Sequence, residues 1–145
     1  MIKIICLGKL KEKYLVDLIE DYQKRINRYH KIEIIELKDE DNLIKEEQSI
    51  LNYIKKDDFL ITLEIEGKEI TSKEFASLIE KTFITHSNIT FVIGSSLGLS
   101  DKIKEKSNFS LSFSKMTYPH GLFRGILLEQ IYRAFKINNN ESYHK

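Results

Sequence analysis

The chain has 145 residues, 41% of them hydrophobic and 31% charged, with a formal net charge of +1 at pH 7. That length supports an ordinary hydrophobic core without metal or disulfide staples. No apolar run approaches the roughly 18 residues that mark a membrane span, and the first residues, MIKIICLGKLKEKY, lack the long apolar centre and small-residue cleavage site of a signal peptide, which predicts a cytoplasmic protein.

Ile2 to Leu7 is an apolar run of strand length closed by Gly8, with the one cysteine, Cys6, inside it as a buried, inert thiol. From about Lys13 to Tyr29, apolar residues at Leu15, Leu18, Ile19, Tyr22, Ile26 and Tyr29 have helical spacing. Ile32 to Leu37 is a second strand. Leu43 to Ile54 is a weaker amphipathic helix, with Ile44, Leu51 and Ile54 as its apolar stripe. Phe59 to Ile65 is rich in β-formers and ends at a turn, Glu66-Gly67-Lys68. Thr71-Ser72-Lys73-Glu74 has the form of a capping box and opens a helix carrying Phe75, Leu78 and Ile79. Ile89 to Ile93 is a fourth strand, and Ser100 caps a short helix from Asp101 to about Lys106. Phe109 to Phe113 alternates as a half-exposed strand does. A long helix marked by Leu122, Ile126, Leu127, Ile131, Ala134 and Phe135 precedes a polar tail.

Strands and helices therefore alternate throughout, and the first four strands are mostly apolar. This predicts one α/β domain, residues 1–145, with a mostly parallel sheet covered by helices on both faces. Charge is unevenly spread. Residues 1–31 carry eight Lys/Arg against four Asp/Glu, residues 115–145 five against two, and residues 32–114 ten against sixteen. Basic ends around an acidic middle suit a phosphate-bearing partner if the ends meet in space; solvated helix faces explain the same count equally well.

Two loops carry the candidate chemistry. Gly94-Ser95-Ser96-Leu97-Gly98 follows a strand and precedes a helix, where a loop backbone approaches a ligand closely. It matches neither G-x-G-x-x-G nor a Walker A loop, and from its residues a tight turn and a cofactor site weigh equally. The same string fits the G-x-S-x-G of a nucleophile elbow, with Asp101 five residues on and His120 or His144 as base, so a hydrolase stays as a third reading. The second loop is Ser114 to Gly121. His120 sits in it with Arg124 one helical turn later; Arg124, Arg133 and Lys136 read either as a solvated face or as phosphate contacts. Tyr143-His144-Lys145 reads either as a frayed end or as an aromatic and cationic group for an RNA base. The four histidines lie far apart and there is no cysteine pair, so no metal site is predicted.

Gly8 to Tyr14, Leu63 to Lys68, Phe91 to Gly94, Leu111 to His120, Glu129 to Phe135 and the ending Tyr143-His144-Lys145 occur in order along the whole chain. On these motifs the sequence resembles the small bacterial SPOUT-type methyltransferases that modify pseudouridine N3 in large-subunit ribosomal RNA. The resemblance implies a C-terminal deep trefoil knot, an exception to the rule that protein chains are unknotted. It also implies a homodimer, S-adenosylmethionine (SAM) as cofactor, no metal and no membrane partner, and 23S rRNA in the assembled ribosome as substrate, at pseudouridine 1915. By position, the family's cofactor contacts fall on Leu63, Gly94, Gly98, Phe113, Ser114, Lys115, Met116, Thr117 and Tyr118. Tyr143, His144, Arg124 and His120 are the groups expected near the base. The sequence departs from the family at Ser95, where a second glycine is usual. The alternative is an RNA- or ribosome-binding protein that keeps the fold without the chemistry.

Overall fold

The structure is a computed structural model that describes residues 1–145. Ten elements alternate: β1 (Ile2–Leu7), α1 (Lys13–Ile26), β2 (Ile32–Leu37), α2 (Leu43–Leu51), β3 (Phe59–Glu69), α3 (Ser72–Thr85), β4 (Ile89–Ile93), α4 (Asp101–Lys106), β5 (Phe109–Ser112) and α5 (His120–Asn138). The strands form one sheet in the order β2-β1-β4-β3-β5, and every pairing is parallel. β1 and β4, the most continuously apolar strands, lie inside the sheet and every residue of both is buried.

Strand alternation sorts the side chains into two cores. Ile2, Ile4 and Cys6 of β1 face a larger cluster closed by α1, α3 and α5, including Ile19, Ile79, Leu128 and Ile131. Ile5 and Leu7 face a smaller one closed by Ile50 of α2 and Ile103 of α4. Each fully buried aliphatic side chain contributes about 1.5–3 kcal/mol, so the ten-element order is held mainly by these two layers. The expected caps are present: the Thr71–Glu74 capping box on α3, and the Ser100 side chain accepting from the Ile103 N–H on α4. A buried ion pair, Lys3 Nζ to Asp58 Oδ2 at 2.8 Å, fastens β1 to the segment before β3, and the Thr90 hydroxyl donates to the same oxygen at 3.0 Å.

Three expectations change. Glu66-Gly67-Lys68 is not the end of β3. The strand continues to Glu69, with a register break between Leu63 and Lys68, because β5 pairs with both parts. Gly67 fits there because a Cβ would lie 2.8 Å from the Ser110 carbonyl atoms. The stripe expected on α2 is also different: Ile44 is exposed, while Glu46 and Ile50, one turn apart, face inward. Finally, α1 stops at Ile26 and leads into a turn, rather than reaching Tyr29.

β1 leads through α1 to β2 on one side, and its neighbour β4 leads through α4 to β5 on the other. The carboxyl ends of β1 and β4 thus form a topological switch point, where open α/β sheets place ligands.

Candidate functional site

A cavity of about 700 Å³ opens at the carboxyl ends of β3, β4 and β5. Eight of the nine residues expected to meet a cofactor line it: Leu63 from β3, Gly94 and Gly98 from the β4–α4 loop, and Phe113, Ser114, Met116, Thr117 and Tyr118 after β5. Lys115 is exposed and does not line it. The cavity walls also include Glu64, Ile65, Glu66 and Phe123, none of which the sequence reading assigned to the site. The signal for the first three was hidden by reading residues 64–68 as the run into a turn.

The β4–α4 loop is a braced tight turn. The Gly98 N–H donates to the Ser95 carbonyl at 2.9 Å, and Gly98 has φ +78°, a conformation that favours glycine. The Gly98 backbone leans over Gly94 so closely that a Cβ on Gly94 would lie 2.7 Å from the Gly98 oxygen. Ser95 adopts ordinary negative φ, so the serine that replaces the family's usual glycine is unstrained. Its hydroxyl donates to Glu46 Oε1 at 2.6 Å, and Glu46 Oε2 accepts the Glu40 N–H at 3.0 Å. A buried carboxylate therefore ties this loop to the segment after β2. Sequence reading missed Glu46 because a charge at that position reads as a solvent-facing residue. On the other loop, the Ser114 hydroxyl accepts the Met116 N–H at 3.0 Å and shapes the turn after β5.

His120 and Arg124 stand at the start of α5. Arg124 is 1% exposed, so the solvated-face reading of this residue is wrong. Its guanidinium donates to Glu36 Oε2 at 2.6 Å and to the Gly8 carbonyl at 3.3 Å, while its buried Nε has no partner. Glycines allow this approach. A Cβ on Gly125 would lie 2.6 Å from Leu18 Cδ2, and one on Gly121 2.8 Å from Leu10 Cδ2, so α5 seats directly on α1 and the loop before it. His120 titrates below its ordinary 6.5. Burial of the ring is the main cause, the Leu7 carbonyl opposes it, Arg124 lowers the value further and Asp39 raises it. The imidazole is neutral at pH 7.

The tail is ordered against the other end of α5. The Tyr143 hydroxyl donates to Glu129 Oε1 at 3.1 Å, the Arg133 guanidinium carbon lies 4.8 Å over the Tyr143 ring, and Arg133 meets His144 Nδ1 at 3.0 Å. Burial, Tyr22 and Glu129 push the Tyr143 phenol above its ordinary 10.0. Tyr29 and Lys136 both bind the Glu141 carboxylate, at 2.8 and 2.9 Å. The frayed-end reading therefore fails. The structure groups His120 and Arg124 at one end of α5 and Tyr143 and His144 at the other, so the four residues expected near a base are not brought together within one chain.

This is a parallel α/β fold with its cavity at the ends of β3, β4 and β5, next to the switch point, and a C-terminal helix packed between two others. A family model described as "Predicted SPOUT methyltransferase" matches residues 1–144, and the chain belongs to that family. Two Clostridium botulinum proteins named ribosomal RNA large subunit methyltransferase H, from strains Alaska E43 and Kyoto, are 52% and 50% identical to it, each alignment covering 99% of both chains. Among solved structures, a "probable methylase family protein" from Haemophilus influenzae superposes with a TM-score of 0.57 at 15% identity, over 99% of this chain and 70% of that one. The A. aeolicus TrmH/SpoU tRNA modifying enzyme superposes at 0.50 with 13% identity, over 95% and 77%. These two likenesses show the fold.

Proposed function

We propose that this methyltransferase uses SAM to methylate N3 of pseudouridine 1915 in 23S rRNA of the assembled ribosome, as a cytoplasmic homodimer with a knotted C-terminal segment. The observation that carries the reading is the 700 Å³ cavity at the strand ends, whose lining coincides with the family's cofactor positions. Its chemistry fits SAM. Gly94 lets the Gly98 backbone fold tightly against it and so sets the shape of the cavity's loop, Leu63, Leu111 and Phe113 offer apolar surface to an adenine ring, and Glu64 and Glu66 offer carboxylates to hydroxyl and ammonium groups. When bound, SAM supplies an electrophilic methyl group on a sulfonium centre.

The protein's part is positioning and electrostatics. The imide N3–H must lose its proton, and fixed positive charge beside it stabilises the resulting anion. Arg124 and the first turn of α5 supply that field beside the cavity. The basic ends of the sequence meet where α1 packs on α5, and Lys9, Lys11, Lys24 and Arg28 there are exposed and free of ion pairs. They suit RNA phosphates, with Arg and Lys adding affinity rather than sequence reading.

After β5 the chain crosses from the face that carries α4 to the face that carries α1 and α3, past the cavity loops, as the proposed knot requires. His120 and Arg133 are 13 residues apart on α5, roughly 20 Å along the axis. The tail docked at Arg133 therefore serves a cavity in the second copy of a dimer rather than its own. The unstrained, hydrogen-bonded Ser95 removes the main argument for a fold that has lost its chemistry. Deleting Tyr143 to Lys145 tests the division of labour: methyl transfer to ribosomes is abolished while calorimetric SAM binding persists. Full activity in the truncated protein contradicts the tail's role.

A further inference from the structure

Glu46 lies in the first turn of α2 and is 1% exposed, and no lysine, arginine or histidine pairs with it. Burying a carboxylate without a cation is unfavourable, and the positive end of a helix offsets that only in part. Ile50, one turn further along the same face, packs into the smaller core at no such cost. A charge kept at this inward position therefore serves something other than the core, and its two hydrogen bonds show what. Oε2 accepts the Glu40 N–H at 3.0 Å, and Oε1 accepts the Ser95 hydroxyl at 2.6 Å, a charge-assisted length.

Resting on the methyltransferase reading above, we propose that Glu46 is a positioning residue: acting through Ser95, it holds the β4–α4 loop in the shape that binds SAM. Ser95 is the hub of that loop. Its hydroxyl accepts the Leu97 N–H at 3.2 Å, and its carbonyl accepts the Gly98 N–H at 2.9 Å. A hydroxyl has one hydrogen, and giving it to Glu46 leaves a lone pair for Leu97, so the carboxylate fixes the rotor that fixes the turn. Gly94, Ser95, Ser96 and Gly98 line the cofactor cavity, whereas Glu46 does not. Its effect on a bound cofactor therefore passes through the loop.

The carboxylate is itself held in place. Asn42 caps α2, its side chain accepting the Lys45 N–H at 3.0 Å and its carbonyl the Glu46 N–H at 3.1 Å. With the Glu40 N–H on its other oxygen, Glu46 links the segment after β2 to the loop after β4, across the end of β1, which lies between those strands in the sheet. A loop assembled before the cofactor arrives loses less conformational freedom on binding it. The bracing therefore acts on affinity for SAM and leaves the methyl-transfer step itself to the groups that meet the substrate.

The test uses full-length protein, ribosomes from a strain lacking the enzyme, and the variants Glu46→Gln, Ser95→Ala and the two combined. Glutamine has one acceptor oxygen where glutamate has two, and alanine has no hydroxyl. Each single variant is expected to raise the calorimetric Kd for SAM about tenfold, and the double variant by about the same factor, because the two side chains act as one unit. The KM for SAM rises in parallel, while kcat at saturating SAM and the KM for ribosomes stay within about twofold. Either single variant with an unchanged Kd, single effects that multiply in the double variant, or an affinity loss that tracks the urea midpoint from variant to variant overturns the proposal. Absence of SAM binding by the unsubstituted protein overturns the broader reading, and this one with it.

Discussion

Gly94→Ala tests whether the β4–α4 loop is shaped to admit a cofactor. An added Cβ would stand 2.7 Å from the Gly98 oxygen, 2.8 Å from its carbonyl carbon and 3.1 Å from Leu99 Cδ2. Carbon pairs are comfortable at about 3.5 Å, so the loop must open by roughly 0.7 Å. It cannot swing aside as a flexible side chain does. The Gly98 N–H is held by Ser95 O at 2.9 Å, and Ser95 is held by buried Glu46 at 2.6 Å. Overpacking of this kind costs about 1–3 kcal/mol, appearing partly as stability and partly as lost pre-organisation of the cavity. A share of about 1.4 kcal/mol in binding raises the SAM Kd tenfold. Titration calorimetry with SAM, alongside urea unfolding to measure the stability share, gives both parts. Gly94→Ala protein that binds SAM as tightly as the unsubstituted chain, with an unchanged urea midpoint, refutes the reasoning.

The Arg124–Glu36 pair predicts an asymmetry, because Arg124 is 1% exposed at its side chain and Glu36 38%. Glu36→Gln strands a buried cation and costs about 3 kcal/mol, whereas Arg124→Met leaves a carboxylate that regains water and costs about 1 kcal/mol; equal urea-derived losses contradict this. Asp58 gives a pH signature. Burial opposes its ionisation, but hydrogen bonds from Lys3, the Lys55 N–H and Thr90 outweigh that and hold it below its ordinary 3.8. A depressed carboxylate contributes stability that is complete above 3.8 and lost as pH falls through the lower folded value. Asp58→Asn is therefore destabilised by about 3 kcal/mol at pH 7, and its urea midpoint converges on that of the unsubstituted protein as pH drops below 3.8. A gap that stays constant to pH 3 contradicts the assignment.

The sheet was legible because burial on both faces leaves runs that are apolar but for one residue each, Lys3 in Ile2–Leu7 and Thr90 in Ile89–Ile93, and the caps at Thr71 and Ser100 are local chemistry. The two cavity loops were legible as strand ends rich in small residues. What sequence concealed were polar groups whose partners lie far along the chain. Arg124 looked solvated because Glu36 is 88 residues away, and Glu46 because its partner Ser95 is 49 away. The extension of β3 was hidden for a related reason. Glu66-Gly67-Lys68 has turn chemistry, but pairing with β5 overrides it. The position of the tail was not legible at all, since its docking depends on Glu129 and Arg133 holding Tyr143 and His144 in three dimensions.

Methyl transfer from SAM to one pseudouridine of large-subunit RNA is directly measurable. Radiolabelled SAM incubated with this protein and ribosomes from a strain lacking the enzyme, followed by mass spectrometry of the labelled nucleotide, addresses it directly. Label is expected in N3-methylpseudouridine of 23S rRNA, and none in ribosomes whose target remains uridine. Label elsewhere, equal label without the pseudouridine, or none in any ribosome preparation contradicts it.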